Sequence, residues 1–348
     1  MNKDDRTNRV PTSDDVAELA GVSRSAVSRT YTAGASVAPA TREKVLAAAK
    51  TLGYRVNFLA RGLSQQRTNL VAMVVSDMEN SMRARLVECM ARELVAQGFR
   101  PMLLPTQPGE DVGHLIDMML HYNVTGTIVT SDTPPAEIAQ ECAAYGVPLV
   151  LINKAEVGGS VANVSMDTVA AGRLAAEEFF AIGCKRVAIA SQRRASHTIS
   201  QRKAAFITTC RGRGLELVGD FQGAVQNYEG GVEAAQNFLM SGIDVDAVFC
   251  VNDLLALGFL DEVRLRSSLT IPGNLRVIAC DDIAEASWSS YDLTTVRQDP
   301  QALAKAALTA LLSCLDDPTK AQPHTIIASE LVRRGSTAAP LHFQENRL

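Results

Sequence analysis

The chain has 348 residues, with 34 Lys and Arg against 38 Asp and Glu, for a formal net charge of −4. No apolar run reaches the roughly 18 residues a membrane span needs, and the charged opening MNKDDR lacks the apolar segment of a signal peptide. A spanning or exported protein is therefore not expected. Seven cysteines, an odd number without a Cys-x-x-Cys pair, include Cys89, Cys142, Cys250 and Cys280 in apolar surroundings, the pattern of reduced core thiols in a cytoplasmic protein.

After a polar start at residues 1–11, expected to be disordered, residues Asp15–Arg29 read DVAELAGVSRSAVSR. This is the pattern of two short helices joined by a tight turn. Val16, Leu19 and Ala20 share one face of the first, Gly21 supplies the positive φ of the turn, and Ser23 stands at the N-cap of the second. Ala26 and Val27 point inward there, leaving Arg24, Ser25, Ser28 and Arg29 outside. Small polar and Arg side chains on a short exposed helix suit a major-groove reader, with Arg bidentate to guanine. Helix pairs of this kind also occur as plain packing units, and the residues C-terminal to the pair weigh between the two readings. A third amphipathic helix is expected from about Thr41 to Leu52, with Val45, Leu46, Ala49 and Leu52 apolar at helical spacing, stopped by Gly53. Residues 12–55 thus form an all-α helix-turn-helix head. Charge agrees, because residues 1–67 hold eleven Lys and Arg against six Asp and Glu, a net +5, while the remainder carries −9. A basic head on an acidic body suits a protein that meets phosphates with one end.

From Asn69 the pattern alternates strand and helix. Strands are expected at Leu70–Val75, Pro101–Leu104, Thr127–Thr130 and Pro148–Ile152, then at Arg186–Ala190, Ala247–Val251 and Leu275–Cys280. Helices include Leu86–Gln97, His114–Tyr122 and Val169–Ile182. Two βα sets in series make an α/β body of two doubly wound parallel-sheet lobes. Ligands of such sheets bind beyond the carboxyl ends of the strands, here in the cleft between the lobes.

The chain resembles the lactose/galactose-repressor (LacI/GalR) family of bacterial transcriptional regulators. The likeness is carried by Asp15-Val-Ala-x-x-Ala-Gly-Val-Ser-x-x-x-Val-Ser-Arg29, Thr41-Arg-x-x-Val45, Leu52-Gly-Tyr54 and Asn57-x-x-Ala-Arg-x-Leu63. It continues at Arg67-Thr68-Asn69, Asn252-Asp253, Asp281-Asp282 and Leu293–Gln298. The resemblance implies a hinge helix and linker over 56–67 and a periplasmic-binding-protein-like body over 68–335. Lobe 1 would comprise about 69–166 plus 296–322. Lobe 2 would comprise about 167–295 plus a final strand near Thr325–Arg333, with a tail at 336–348. The tail lacks heptad leucines, so a homodimer rather than a tetramer is expected.

The same resemblance assigns residues. Arg24 and Ser25 match positions the family varies to choose bases, and Arg29 a third contact. Ser23, Ser28 and Asn57 match capping or phosphate-positioning residues. Ala60 and Leu63 belong to the hinge, and Leu63 matches a leucine that wedges into the minor groove. Ala38 replaces a capping Ser, and Gly62 sits inside the hinge. In the cleft, Arg202 matches a ligand-gripping Arg, with Thr198 one turn before it. Asn153 stands where the family often has Asp, and Gln226 where it often has an aromatic ring. Asn252 and Asp281 match polar contacts. Arg83 departs from an aromatic position and reads either as a fork for an anionic or hydroxyl-rich ligand or as a solvated first-turn Arg. Trp288, the one Trp, reads either as a stacking ring or as a packed loop residue. Arg83 and Gln226 together suggest a polar, acidic sugar derivative as effector.

The expected partners are pseudo-palindromic operator DNA and a small-molecule effector, with no membrane, cofactor or metal. A solute-binding protein of periplasmic type shares the body but needs a signal peptide and no head. An enzyme has little support: there is no phosphate loop, nucleophile elbow or His pair at metal spacing.

Overall fold

The computed structural model describes residues 10–32, 34–56, 68–107, 110, 112–130, 135–194, 196–318, 320 and 322–338. Asn57, Ala60, Gly62 and Leu63, and with them the expected hinge, lie outside the described residues, as do residues 1–9 and 339–348. The chain divides into two compact units, 1–68 and 69–348.

The head has three helices, α1 (Ser13–Ala20), α2 (Arg24–Thr30) and α3 (Pro39–Leu52). Thr12 caps α1 in a reciprocal box. Its hydroxyl accepts from Asp15 N, and Asp15 Oδ2 accepts from Thr12 N at 2.7 Å. Gly21 ends α1 at φ +64, and Ser23 caps α2 by accepting from Ala26 N at 3.3 Å. Ala38 makes no side-chain cap to α3, where Pro39 opens the first turn two residues before the expected start. The core is Val16, Ala17, Val27, Val45, Ala48 and Ala49. Leu19 and Leu46, expected on the inner faces, are instead exposed. The alanines take their place because small side chains let the helix backbones approach closely, which leaves the larger leucines on the flanks.

The body holds two six-stranded sheets. Lobe 1 has the order β11-β5-β4-β3-β1-β2, built from β1 (Leu70–Val75), β2 (Arg100–Pro105), β3 (Gly126–Val129), β4 (Leu149–Ile152), β5 (Ala162–Met166) and β11 (His324–Ile327). Its helices are α4 (Ser81–Ala96), α5 (Val112–His121), α6 (Pro135–Ala144) and α11 (Pro300–Asp316). Lobe 2 has the order β12-β10-β9-β8-β6-β7, from β6 (Arg186–Gln192), β7 (Glu216–Gly223), β8 (Ala247–Cys250), β9 (Arg276–Asp281), β10 (Thr294–Arg297) and β12 (Glu330–Val332). Its helices are α7 (Thr168–Ala181), α8 (His197–Arg213), α9 (Tyr228–Ser241) and α10 (Asp253–Arg266).

The single final strand expected near Thr325–Arg333 is two strands in two sheets. β11 runs parallel to β5, pairing His324 with Asn163 through Ile327 with Met166. Ser329 Oγ then donates to Asp167 O at 3.1 Å, which pins the turn. β12 lies antiparallel to β10, with Thr295 opposite Val332, so the second sheet carries one antiparallel edge strand. β10 also belongs to lobe 2, which moves the start of the returning lobe-1 segment from 296 to α11. The chain therefore crosses between lobes three times, after β5, β10 and β11.

Buried strands of Val, Ile, Ala and Cys fill both sheets. In lobe 2, Phe206 stacks on Phe249 at 4.8 Å and meets Phe179 edge-on at 6.1 Å. All seven cysteines are buried and unpaired. Among the described residues, no helix is long and apolar enough to cross a membrane, and no group of His, Cys, Asp and Glu is placed to hold a metal.

Candidate functional site

In the head, Arg24, Ser25, Ser28 and Arg29 lie exposed along α2. Ser23 spends its hydroxyl on the cap and a 2.9 Å bond to Ser25 Oγ, while Arg29 Nε donates to Ser25 O at 3.3 Å. Arg24 faces Asp14 at 3.6 Å with both side chains largely exposed, a pairing weak enough to yield to a phosphate or base. Arg42, which sequence reading did not single out, ties α3 to α2 by donating to Thr30 O at 3.0 Å.

In the body, each sheet reverses strand order beside its first strand, so crevices open beyond β1 and β3 and beyond β6 and β8. Lobe 2 places a polar group at each strand end. Gln192 ends β6 and donates to Gln226 Oε1 at 2.8 Å. Asn252 caps α10 by accepting from Leu255 N at 2.7 Å and donates to Gln226 O at 3.4 Å. Asp281 ends β9 at φ +138, followed by Asp282 at φ +59. Two successive non-Gly residues in this region cost on the order of 1–3 kcal/mol each. The conformation is held by Arg297 and Arg334, which each donate to Asp282 at 2.6 Å.

Arg202, on α8, is 3 % exposed. Its Nη1 donates to Val251 O and lies 3.7 Å from Asp281 Oδ1, while Nε has no partner. Gly172 permits this placement, because a Cβ there would stand 2.1 Å from the Arg202 carbonyl oxygen. Asp281 also accepts from Gln298 Nε2. Burial pushes the Asp281 carboxyl up to about 6, against the opposing pull of Arg202, the Gln298 hydrogen bond and Arg83. Behind it, fully buried Asp253 accepts from Ile283 N at 3.0 Å and from Thr295 Oγ1. Burial, with repulsion from Asp281, raises its carboxyl to about 7.

Lobe 1 faces this cluster with α4, capped by Asn80, whose Oδ1 accepts from Arg83 N at 3.2 Å. The helix starts at Ser81, five residues before the expected Leu86, so Arg83 lies in its first turn. Arg83 is not a solvated side chain: Nη1 donates to Ser76 Oγ at 3.0 Å, Nε lies 3.8 Å from Asp77, and its charge reaches Asp281. Met82 enters the lobe-2 core, and Ser81 Oγ donates to Glu285 Oε1 at 3.4 Å, so α4 joins the lobes.

Asn153, at φ +55 after β4, accepts from Met166 N at 2.9 Å. With Thr198 it lines a cavity of about 230 Å³ beside the crossovers. Trp288 follows a short 3-10 turn (Ala284–Ser287), is 55 % exposed and does not line that cavity. Sequence reading missed Gln192, Asp253 and Gln298. The last two lie inside quoted motifs, but nothing local marks them as buried partners of Asp281.

The model of the lacI family of bacterial regulatory proteins matches residues 12–57, and that of the periplasmic binding protein-like domain matches 160–337. The HTH-type transcriptional regulator MalR of Streptomyces coelicolor is 30 % identical over 339 residues, 93 % of this chain and 96 % of that protein. The chain belongs to the LacI family. The ribose operon repressor of Escherichia coli is 28 % identical over 332 residues, covering 92 % of this chain and 98 % of the relative. The Lac repressor dimer, bound to operator and the anti-inducer ONPF, shares the fold with a TM-score of 0.85 at 22 % identity over 95 % of this chain and 100 % of that one. The regulator CelR in complex with cellobiose has a TM-score of 0.70 at 27 % identity, over 94 % and 99 % of the two chains. As a LacI-family member this protein is a DNA-binding transcriptional regulator with a helix-turn-helix head and a two-lobed body, not an enzyme.

Proposed function

We propose that the protein is a homodimeric repressor of a pseudo-palindromic operator, controlled by a small sugar or sugar derivative in the cleft between its lobes. The observation that carries the effector reading is the buried Arg202–Asp281 pair at the strand ends, where Arg202 Nε lacks a partner. A buried guanidinium N–H without an acceptor is costly, and a ligand hydroxyl or ring oxygen supplies one. Asp281, Asn252, Gln226 and Gln192 add hydrogen-bonding groups for further hydroxyls. Two relatives fit a sugar: one is a ribose operon repressor and another was solved with cellobiose.

On the DNA side, Arg24, Ser25 and Arg29 read bases while Ser23 and Ser28 set register. Asn57, Ala60 and Leu63, outside the described residues, are assigned to the DNA contact by the resemblance. The effector changes operator affinity by its differential affinity for two lobe arrangements, and the output is repression by blocking polymerase. Selection of bound duplexes from a random pool, with full-length protein at fixed salt, tests this. The expected product is a palindrome of about 14–20 base pairs with a pyrimidine–purine step at its centre. Absence of enrichment, with and without a mixture of small metabolites, overturns it.

A further inference from the structure

Two buried carboxyls and one guanidinium meet at the strand ends of lobe 2. Asp281, closing β9, lies 3.7 Å from Arg202 Nη1. Asp253, the first residue of α10, is fully buried and near enough for the two carboxylates to repel. Its own partners are neutral: Oδ2 accepts from Ile283 N at 3.0 Å and Oδ1 from Thr295 Oγ1. The charges around the cluster are matched elsewhere. Asp282, on the same turn, is held by Arg297 of β10 and by Arg334, each at 2.6 Å. Arg83 of α4 acts on Asp281 from lobe 1 but has Asp77 at 3.8 Å. Burial keeps the thiols of Cys250, ending β8, and of Cys280, on β9, protonated. With both carboxyls ionised, the cluster sets two negative charges against Arg202. With one proton it is neutral, and an unbalanced charge at this depth is costly.

The hydrogen bonds fix where that proton sits. A backbone N–H can only donate, so Asp253 Oδ2 stays an acceptor for Ile283 N. A hydroxyl can reverse its direction, so Oδ1 is the oxygen that can carry a proton and donate it to Thr295 Oγ1. Asp281 is the opposite case. Gln298 Nε2 and Arg202 both meet its Oδ1, and both can only donate. They suit the carboxylate, and Oδ2 is left for a ligand hydroxyl.

We propose that Asp281 and Asp253 share one proton, kept on Asp253, and that the effector binds this one-proton state best, which links its affinity to pH. The proposal rests on the cleft being the effector site. A ligand hydroxyl donates more strongly to a carboxylate than to a carboxylic acid. A second proton, arriving on Asp281 as pH falls through about 6, removes that acceptor. Loss of the proton from Asp253, as pH rises through about 7, leaves a net negative charge in the cluster. A ligand that excludes water from the cleft strengthens the resulting repulsion. Affinity therefore peaks between the two steps and falls on either side, by at most about tenfold per pH unit for one proton.

The ligand-free test is carbon-13 NMR of full-length protein labelled at the aspartate carboxyls, from pH 5 to 8, with Asp253→Asn and Asp281→Asn to assign the two signals. Between the two steps Asp253 should show the shift of an acid and Asp281 that of a carboxylate. Two carboxylate signals throughout the range overturn the shared proton. The linked test is calorimetric titration with ribose, glucose and cellobiose over the same range, in buffers of different ionisation enthalpy, on the parent, both variants and Arg202→Met. The parent should release a proton on binding below the affinity maximum and take one up above it, a count that needs no variant. Asp253→Asn, whose amide imitates the protonated acid, should lose the high-pH limb and keep the low one. Asp281→Asn should lose the low-pH limb. Binding that is independent of pH, yet abolished in Arg202→Met, overturns the proton linkage and leaves the cleft reading intact. Binding indifferent to Arg202→Met, or no binding of any of the three sugars at any pH, overturns the cleft reading and the linkage with it.

Discussion

Arg202 Nη1 lies 3.7 Å from Asp281 Oδ1, with the two side chains 4 % and 9 % exposed. A pair this buried contributes little net stability, but removing one partner strands a charge at a cost of about 3–5 kcal/mol. Arg202→Met should therefore lower stability by that order in urea titration and abolish effector binding. Asp281→Asn should cost less, because an amide oxygen still accepts from Gln298. A variant in which Arg202→Met leaves both readouts unchanged would remove the pair from the site.

Asp253 gives the body a pH-dependent stability. Its folded carboxyl stands near 7 against an ordinary value of 3.8, chiefly through burial. The folded state therefore holds a proton that the unfolded state has released between about pH 4 and 7, and stability falls as pH rises through that window. Asp253→Asn imitates the protonated form, since its amide oxygen can accept from Ile283 N while its N–H meets the Thr295 hydroxyl. This variant should flatten the decline, which is at most about 1.4 kcal/mol per pH unit for one proton. Melting curves between pH 5 and 8 check it; a parallel decline in variant and parent would assign the proton elsewhere.

These effects mark the limit of what the chain reveals by itself. Strand ends are local, so Asn252 and Asp281 were legible as polar groups closing apolar runs, whereas Arg202 stood out only through the resemblance. The two-lobed α/β body followed from alternation alone. Burial of a carboxylate is not local: Asp253 looks like any helix-first-turn acid until β9 and β10 close over it. Arg83 likewise offered two readings, and only the positions of Ser76 and Asp77, seven and six residues earlier, decide that it is engaged. Leu19 and Leu46 satisfied helical periodicity and still lie outside, because periodicity identifies a face without saying how closely the neighbouring helix approaches. The single strand near Thr325–Arg333 was expected from the resemblance; the polar Ser329 and Glu330 that follow Ala328 mark where the chain changes sheet.

For the head, the exposed Arg24 on α2 makes a prediction about specificity rather than fold. Its partner Asp14 is exposed too, so Arg24→Ala should leave the melting temperature unchanged. If Arg24 reads a guanine edge, the substitution costs about 1–3 kcal/mol of operator binding and relaxes preference at one base pair in each half-site. A uniform loss across all sequences, with a shallower salt dependence, would instead make it a phosphate contact. Binding to a set of singly substituted operators at two salt concentrations distinguishes the two.

Met82 tests whether the lobes are held by packing. It belongs to lobe 1 by its helix, yet its side chain is buried in the lobe-2 core, and the neighbouring Ser81–Glu285 bond is long at 3.4 Å, with Glu285 Oε2 left without a partner. Apolar contact is therefore the stronger tie at the mouth of the cleft, and a buried Met→Ala change costs about 2–5 kcal/mol. Because the contact crosses between lobes, that cost falls on closure more than on the folding of either lobe. Met82→Ala should raise the radius of gyration in small-angle scattering and speed proteolysis near the crossovers, while near-UV signals from the lobe cores persist. An unchanged radius with a lowered melting temperature would show instead that Met82 serves only as core filling.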